Sequence, residues 1–321
     1  RGNKVVSLSD MHKVNEQARI LGSSLEDEII HAVPLNYSID SKSHILNPLG
    51  LYSHRLEVDL YLVCARLSSV QTFNRIINQA GYEVRDMYFT GIATSKAVLS
   101  PNSKDGLNII CDLGSDTTEV LAFREGLLTD IQVLPFGGND MTEIICEELK
   151  VPFELAEDIK RSYGFIGDPL EILEDKEILV KKGEAYAPIK QRLLCEILNA
   201  YAGQICGKIK GAVEKLSPLY EVNNFIITGR SLLLDGFIER LEAVLGGPVK
   251  LGRITDLGLV CLLKEHAEFS GQKHLNYLTS LGIILKSLEE SPAGILPLHQ
   301  PARNFFLKSY YKIKEVYQEY F

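Results

Sequence analysis

The stretch from residue 107 to residue 123 constrains this chain most. Leu107-Asn108-Ile109-Ile110-Cys111-Asp112-Leu113 is a largely apolar run, Gly114-Ser115-Asp116-Thr117-Thr118 is small and polar, and Glu119-Val120-Leu121-Ala122-Phe123 is apolar again. Short apolar runs bounded by turn residues read as strands buried on both faces, so the segment is a strand, a tight turn and a returning strand. A strand that ends in Asp-x-Gly and hairpins back can wrap backbone N–H groups around a phosphate while its carboxylate holds a hydrated metal. An ordinary polar β-turn is the plainer reading of the same residues.

The surroundings extend the pattern. Arg124-Glu125-Gly126 gives a second turn, Asp130 to Phe136 a third strand before Gly137-Gly138, and Asp140 to Leu149 a helix. From Val151 to Leu216 the spacing is largely helical, broken by Gly167-Asp168-Pro169 and by a strand–turn–strand around Lys182-Gly183. Asn224 to Thr228 is a strand running into Gly229, followed by a helix over 232–245, a strand over 249–252 and a helix over 275–288. Upstream, a short strand at 4–8 precedes a helix capped by Ser9-Asp10. Ile29 to Val33 reads as a strand stopped by Pro34, and Leu56 to Val63 alternates like a half-buried strand. Ser68-Ser69 caps a helix whose Val70, Phe73, Ile76, Ile77 and Ala80 share one face, with Gly81 ending it. Residues 22–88 therefore read as one self-contained α+β unit.

Charge and cysteine usage exclude some functions. Against 34 Lys and Arg stand 42 Asp and Glu, a net charge of −8, which is the wrong sign for gripping phosphate backbones, so no nucleic-acid partner is expected. Six scattered cysteines without a Cys-x-x-Cys pair read as reduced thiols in a cytoplasm. No apolar run approaches the ~18 residues of a membrane span, and no signal peptide opens the sequence. The first methionine is Met11, in mid-segment, so the natural start is expected upstream of Arg1.

The last segment has its own pattern. Residues 289–303, with Pro292, Pro297 and Pro301, read as a linker. Beyond it, Phe306, Tyr310, Ile313, Tyr317 and Tyr320 recur at helical steps with Phe305 beside them, while Lys308, Lys312 and Lys314 occupy other faces. An aromatic-rich amphipathic helix of this kind, here 304–321, can lie in the headgroup region of a bilayer. Docking on its own domain or on a second copy is the alternative.

Two further features are ambiguous alone. Glu157 and Lys160 stand three apart on a helix, as a surface ion pair would. Lys181, Lys182, Lys190, Arg192, Lys208 and Lys210 concentrate positive charge, as a solvated face would. Neither the histidines nor any Ser/His/Asp or Cys/His arrangement suggests a metal cluster or a nucleophile.

Taken in order, these motifs resemble the FtsA family of actin-like cell-division proteins. The matching residues are Asp112-Leu113-Gly114 with Thr117-Thr118-Glu119, then Leu134-Pro135-Phe136-Gly137-Gly138 with Met141-Thr142, then Ala156-Glu157-Asp158-Ile159-Lys160 with Tyr163-Gly164. His31-Ala32-Val33-Pro34 with Tyr37, Asp40, Asn47-Pro48-Leu49-Gly50-Leu51 and Arg55-Leu56-Glu57-Val58 is similar to the insertion subdomain peculiar to that family. The pilus-assembly relatives share the layout and match this loop less well.

The resemblance implies an α/β actin-like (ribonuclease-H-like) ATPase fold, incomplete at its amino terminus. Residues 1–21 would be a remnant of the first lobe, 22–88 the insertion, and 89–288 the second half of the fold, with its outer subdomain at about 151–216. It implies ATP with Mg as ligand, Asp112 on the metal, and Gly114, Ser115, Thr117, Gly137, Gly138, Glu157, Lys160, Gly229 and Arg230 around the nucleotide. The expected partners are the C-terminal peptide of the tubulin-like protein FtsZ, received near Lys190 and Arg192, a second copy of the chain in a filament or homo-oligomer, and other divisome proteins. A further partner is the inner face of the cytoplasmic membrane at the division site, reached through Phe305, Phe306, Lys308, Tyr310, Lys312, Ile313 and Tyr317.

The expected function is an adaptor that tethers FtsZ filaments to the membrane and polymerises, with ATP as an assembly ligand. Hydrolysis is at most weak, since no general base is apparent. The alternatives are a nucleotide-free scaffold of FtsA or pilus-assembly type and a genuine actin-like ATPase. This chain departs from the family pattern in three places. Only the second of two Asp-x-Gly hairpins is present, the first being expected before residue 1. Asp116 replaces a glycine at the phosphate turn, and Thr228-Gly229-Arg230-Ser231 keeps only the first glycine of the adenine turn. In addition, Asn199-Ala200-Tyr201 stands where the family has an arginine.

Overall fold

Alternation in the sequence sets the amino-terminal sheet. Strand β1 (Lys4–Val5) leads into helix α1 (Leu8–Leu21), followed by β2 (Asp27–Ile39), β3 (Lys42–Ile45), β4 (Tyr52–Ser53) and β5 (Leu56–Arg66). The computed structural model describes residues 4–290 apart from 41, 101–105, 169–175, 183–184, 231–233, 265, 267–268 and 270. β2 pairs with β5 along its length and with β3 only near Tyr37 and Ile39, giving the order β3-β2-β5.

Three expectations are corrected here. Pro34 does not stop β2: the strand continues through it beside a register shift, opposite Leu60. The pairing with β3 begins only at Tyr37, so the missing Pro34 N–H removes no bond from that ladder. Helix α1 is capped by Ser7, not Ser9, with Ser7 Oγ accepting from the Asp10 N–H and Asp10 accepting from the Ser7 N–H. Nor does the unit begin at residue 22. α1 packs on β2 and β5, Asn15 hydrogen-bonds Tyr37, and β1 pairs with β4, so residues 4–21 belong to the same unit.

Helix α2 (Leu67–Gln79) starts directly from β5, so Ser68 and Ser69 lie inside it and its N-cap is Arg66. Of its residues only Val70 is buried, and Phe73, Ile76 and Ile77 are exposed. Helix α3 (Thr90–Val98) has no counterpart in the sequence reading. It is built of small residues without an apolar stripe, yet Ala93, Thr94, Ser95, Ala97 and Val98 are buried.

The central sheet holds β6 (Leu107–Leu113), β7 (Thr118–Arg124) and β8 (Leu127–Leu134), the antiparallel strands of the expected hairpin and its successor. β11 (Val222–Thr228) adds to β6 in parallel and β12 (Val249–Leu251) to β11, for the order β12-β11-β6-β7-β8. Between β8 and β11 run α4 (Gly138–Leu149), α5 (Phe153–Tyr163), the hairpin β9 (Glu177–Lys182) and β10 (Ala185–Lys190), and α6 (Gln191–Leu216). After β11 come α7 (Phe237–Leu245), α8 (Leu257–Leu263) and α9 (Leu278–Glu290).

The central sheet is covered on both faces. One face carries Met141, Ile145, Leu198, Ile205 and Phe237 over Ile109, Cys111 and Leu113. The other carries Ala97, Val98, Leu275 and Leu278 over Ile110 and Leu121. Tyr61 of the amino-terminal sheet joins this second face, its hydroxyl donating to the Ile131 carbonyl at 2.9 Å. The linker from 291 on and the amphipathic segment, with all its expected membrane residues, lie outside the described residues.

Candidate functional site

The site forms where β6 and β11 end side by side. Gly229 follows β11 with φ +108, and a Cβ there would stand 2.1 Å from the Leu113 carbonyl oxygen, so a glycine is required. The β6–β7 turn closes on itself through Gly114 N–H to the Thr117 carbonyl at 3.0 Å. The start of α4 is fastened to this turn: Gly138 N–H donates to Gly114 O at 2.9 Å and Asn139 N–H to Ser115 O at 2.8 Å. Gly137 N–H donates to the Asp140 carboxylate at 2.7 Å, and a Cβ at Gly137 would lie 2.4 Å from Ser115 O. The first N–H groups of α4 therefore hold the hairpin rather than facing outward. The N–H groups of Ser115, Asp116 and Thr117 at the hairpin tip have no partner among the described residues.

Beyond the turn lies a cleft of about 390 Å³ lined by Gly114, Ser115, Gly138, Asn139, Met141, Glu157, Lys160, Arg161, Arg230 and Leu234. Of the sequence-predicted residues it thus unites Gly114, Ser115, Gly138, Glu157, Lys160 and Arg230. Thr117 and Gly137 support it from behind. Asp112 lies outside its lining, one strand position back, beside the hydroxyls of Thr94 and Thr228. Burial raises its carboxyl above the usual carboxylate range, opposed by those hydroxyls. Glu119, directly across the ladder from Asp112, is also raised by burial, with the Thr90 hydroxyl opposing. Among the described residues no group of three or more His, Cys, Asp or Glu side chains could hold a metal ion. Asp112 and Glu119 are thus two carboxylates facing each other across this end of the hairpin.

Glu157 and Lys160 are not a solvated surface pair. Lys160 is 6% exposed, and its Nζ donates to Gly138 O at 2.8 Å, to Thr142 Oγ1 at 2.6 Å and to Glu157 at 2.6 Å. Glu157 also accepts from Thr142 Oγ1 at 2.6 Å and from Arg161 Nε at 2.7 Å. Burial alone would raise the Glu157 carboxyl, but the bonds from Lys160, Thr142 and Arg161 bring it down to about 2. Burial also pulls the Lys160 ammonium down, with Glu157 opposing.

Arg161 and Asn139 complete the site and were not singled out from the sequence, and Thr142, quoted there only within the matching stretch Met141-Thr142, joins them. Each is the immediate neighbour, or the one-turn neighbour, of a residue that was. Asp116 is fixed rather than free: Asn139 Nδ2 donates to it at 2.9 Å and Ser115 Oγ at 3.1 Å. Lys190 is the exposed N-cap of α6 and Arg192 is half-buried in its first turn, while the side chains of Lys181 and Lys182 are outside the described set. Asn199 is occupied with the loop at Gly167, donating to its carbonyl at 2.7 Å and accepting its N–H at 3.0 Å.

A doubly covered mixed sheet with an Asp-x-Gly hairpin closing on a helix start and a buried Glu–Lys pair beside it defines an actin-like protein. A chain of the PilM-PilN type IV pilus biogenesis complex superposes with a TM-score of 0.57 over 92% of this chain and 75% of that one, at 17% identity. MreB5 of Spiroplasma citri bound to ADP gives 0.51 over 71% and 69%, at 13% identity. Within that class, residues 109–282 match the family model of cell division protein FtsA and residues 1–64 that of the SHS2 domain inserted in FtsA. The chain belongs to the FtsA family of cell-division proteins.

The start of the SHS2 match at residue 1 agrees with the packing of α1 on its sheet. FtsA of Borreliella burgdorferi is 25% identical over 291 residues, 89% of this chain and 68% of that protein. FtsA of Neisseria meningitidis is 25% identical over 79% of this chain and 62% of its own length, and that of Bacillus subtilis 24% over 84% and 64%. This chain thus spans about two thirds of the relatives it matches.

Proposed function

We propose that this cell-division protein is an actin-like adaptor that polymerises, carries a tubulin-like FtsZ filament to the inner face of the cytoplasmic membrane, and uses a nucleotide as an assembly ligand rather than as fuel. The observation that carries the nucleotide part is the cleft in which Gly114, Ser115, Gly138, Glu157, Lys160 and Arg230 converge beside hairpin N–H groups without partners. Unpaired N–H groups at a turn favour an anion. Bound ADP in the MreB5 neighbour supports the same reading for the nucleotide. ATP would rest its base near Arg230 and its ribose near Glu157 and Lys160, with Asp112 toward the metal. Nucleotide stabilises a protein by binding its folded or closed state, so assembly can depend on it without turnover.

The aromatic helical pattern at 304–321 supports membrane attachment, and the exposed Lys190 beside Arg192 supports receipt of an acidic, apolar peptide. Other divisome proteins and a second copy of the chain would be the remaining partners. Among the described residues no helix is long and apolar enough to cross a membrane. Vesicle co-sedimentation tests it: Phe306→Glu with Ile313→Glu should abolish binding to anionic vesicles, and unchanged sedimentation overturns the membrane role. A labelled FtsZ C-terminal peptide should lose affinity on Lys190→Glu. The anchored Asp116 favours a second reading, a scaffold that assembles without nucleotide.

A further inference from the structure

We propose that Asp116 sets the ligand preference of this cleft: a carboxylate built into the hairpin tip selects a nucleoside or nucleoside monophosphate over the triphosphate. The inference rests on the nucleotide reading above and concerns which nucleotide is held. Four observations carry it.

The hairpin tip has N–H groups at 115, 116 and 117 without partners among the described residues, an arrangement that attracts an anion. Asp116 is exposed and outside the lining of the cleft, yet both its oxygens are held by lining residues, one by Asn139 Nδ2 at 2.9 Å and one by Ser115 Oγ at 3.1 Å, which fixes a negative charge at the rim. The donors that a helix start would otherwise offer a phosphate are spent, Gly138 and Asn139 on the hairpin carbonyls and Gly137 on Asp140.

The cations of the cleft are largely committed as well. Lys160 is enclosed by Gly138 O, Thr142 and Glu157, and Arg161 is paired to Glu157. Arg230 alone lines the cleft without an ion pair among the described residues. The reading above sets Arg230 at the base, so among the described residues of the lining no uncommitted cation is left for the hairpin tip, and a triphosphate would bring several negative charges there against the Asp116 carboxylate. Like charges brought within a few ångströms repel at the effective dielectric of a protein surface, and each further phosphate adds to that repulsion.

The test is calorimetric titration of this chain with adenosine, AMP, ADP and ATP, each with Mg and with EDTA. The expected order places AMP at least about tenfold tighter than ATP. Asp116→Asn keeps the side chain's size and should tighten ATP by about tenfold or more while leaving adenosine within about twofold. Asp116→Glu, which keeps the charge on a surface turn, should bind as the unaltered chain does. The proposal is overturned if ATP binds at least as tightly as AMP, if Mg alone restores tight ATP binding, or if Asp116→Asn leaves the order unchanged. Binding of none of the four ligands by either protein overturns the nucleotide reading itself and this proposal with it, which separates the two failures.

Discussion

The two sheets of this molecule are built to different standards. In the central sheet every residue of β6 except Asp112 is buried, because helices cover both faces. In the amino-terminal sheet no residue of β5 is fully buried, α1 has no buried residue and α2 has one. The candidate site stands at the end of the first kind of sheet. Hairpin, helix start and ion pair must keep fixed distances there, and doubly covered strands with close backbone contacts provide that stiffness. The one-sided sheet holds by its strand ladder, by caps and by a few polar links such as Tyr61 to Ile131.

Mutations can break this contrast, and the largest effect is expected in the central core. Ile109→Ala, at a fully buried position, should cost about 2–5 kcal/mol in denaturant unfolding, whereas Phe73→Ala, on the exposed stripe of α2, should cost under about 0.5 kcal/mol. Equal losses would mean that α2 is covered in solution and the contrast is false.

Next comes the site's ion pair. Lys160→Met leaves the Glu157 carboxylate without its buried partner and should cost about 2–4 kcal/mol; Lys160→Met with Glu157→Gln should recover most of it, as a double-mutant cycle would measure. The pair also carries a pH signature. The Glu157 carboxyl is held at about 2 in the folded protein, below the ordinary value of 4.5, so the unfolded chain binds its proton first. Its contribution is complete above about pH 4.5 and is lost as the pH falls toward 2. Glu157→Gln should flatten that part of an acid-unfolding curve.

Gly137→Ala places a methyl against the Ser115 and Gly114 carbonyls and should cost about 1–3 kcal/mol, with the loss of protection from amide exchange concentrated at Gly138 and Asn139. An effect smaller than those at the site sharpens the link between the sheets. Tyr61→Phe removes one hydroxyl bond and should cost about 1 kcal/mol, read as faster exchange in β5 with β6 unchanged.

Several of these features were legible in the residues themselves. The strand–turn–strand at 107–123 announced itself by apolar continuity and the largely helical stretch from 151 to 216 by its spacing, whereas the bounds of α6 within that stretch came from the structure. Helix α3 did not, because Gly91, Ala93, Ser95 and Ala97 carry no hydrophobic stripe and become helical through close packing between β6 and α9. Pro34 misled for a related reason: whether a proline ends a strand depends on whether a neighbour needs its N–H, which lies with the pairing and not with the residue.

The division within the site follows the same physics. The sequence by itself determined the kind of parts: an Asp-x-Gly hairpin, paired glycines before a helix, a Glu and a Lys one turn apart, and a carboxylate at a turn where a glycine would serve a phosphate better. These are local matters of residue type and spacing. Only the tertiary structure decided that the Glu157–Lys160 pair is buried, that the first donors of α4 are spent on the hairpin, and that Asn139 holds Asp116 in place. Those outcomes depend on residues far apart in the chain meeting at fixed distances, and hydrogen bonds and desolvation change sharply over an ångström that no sequence pattern specifies.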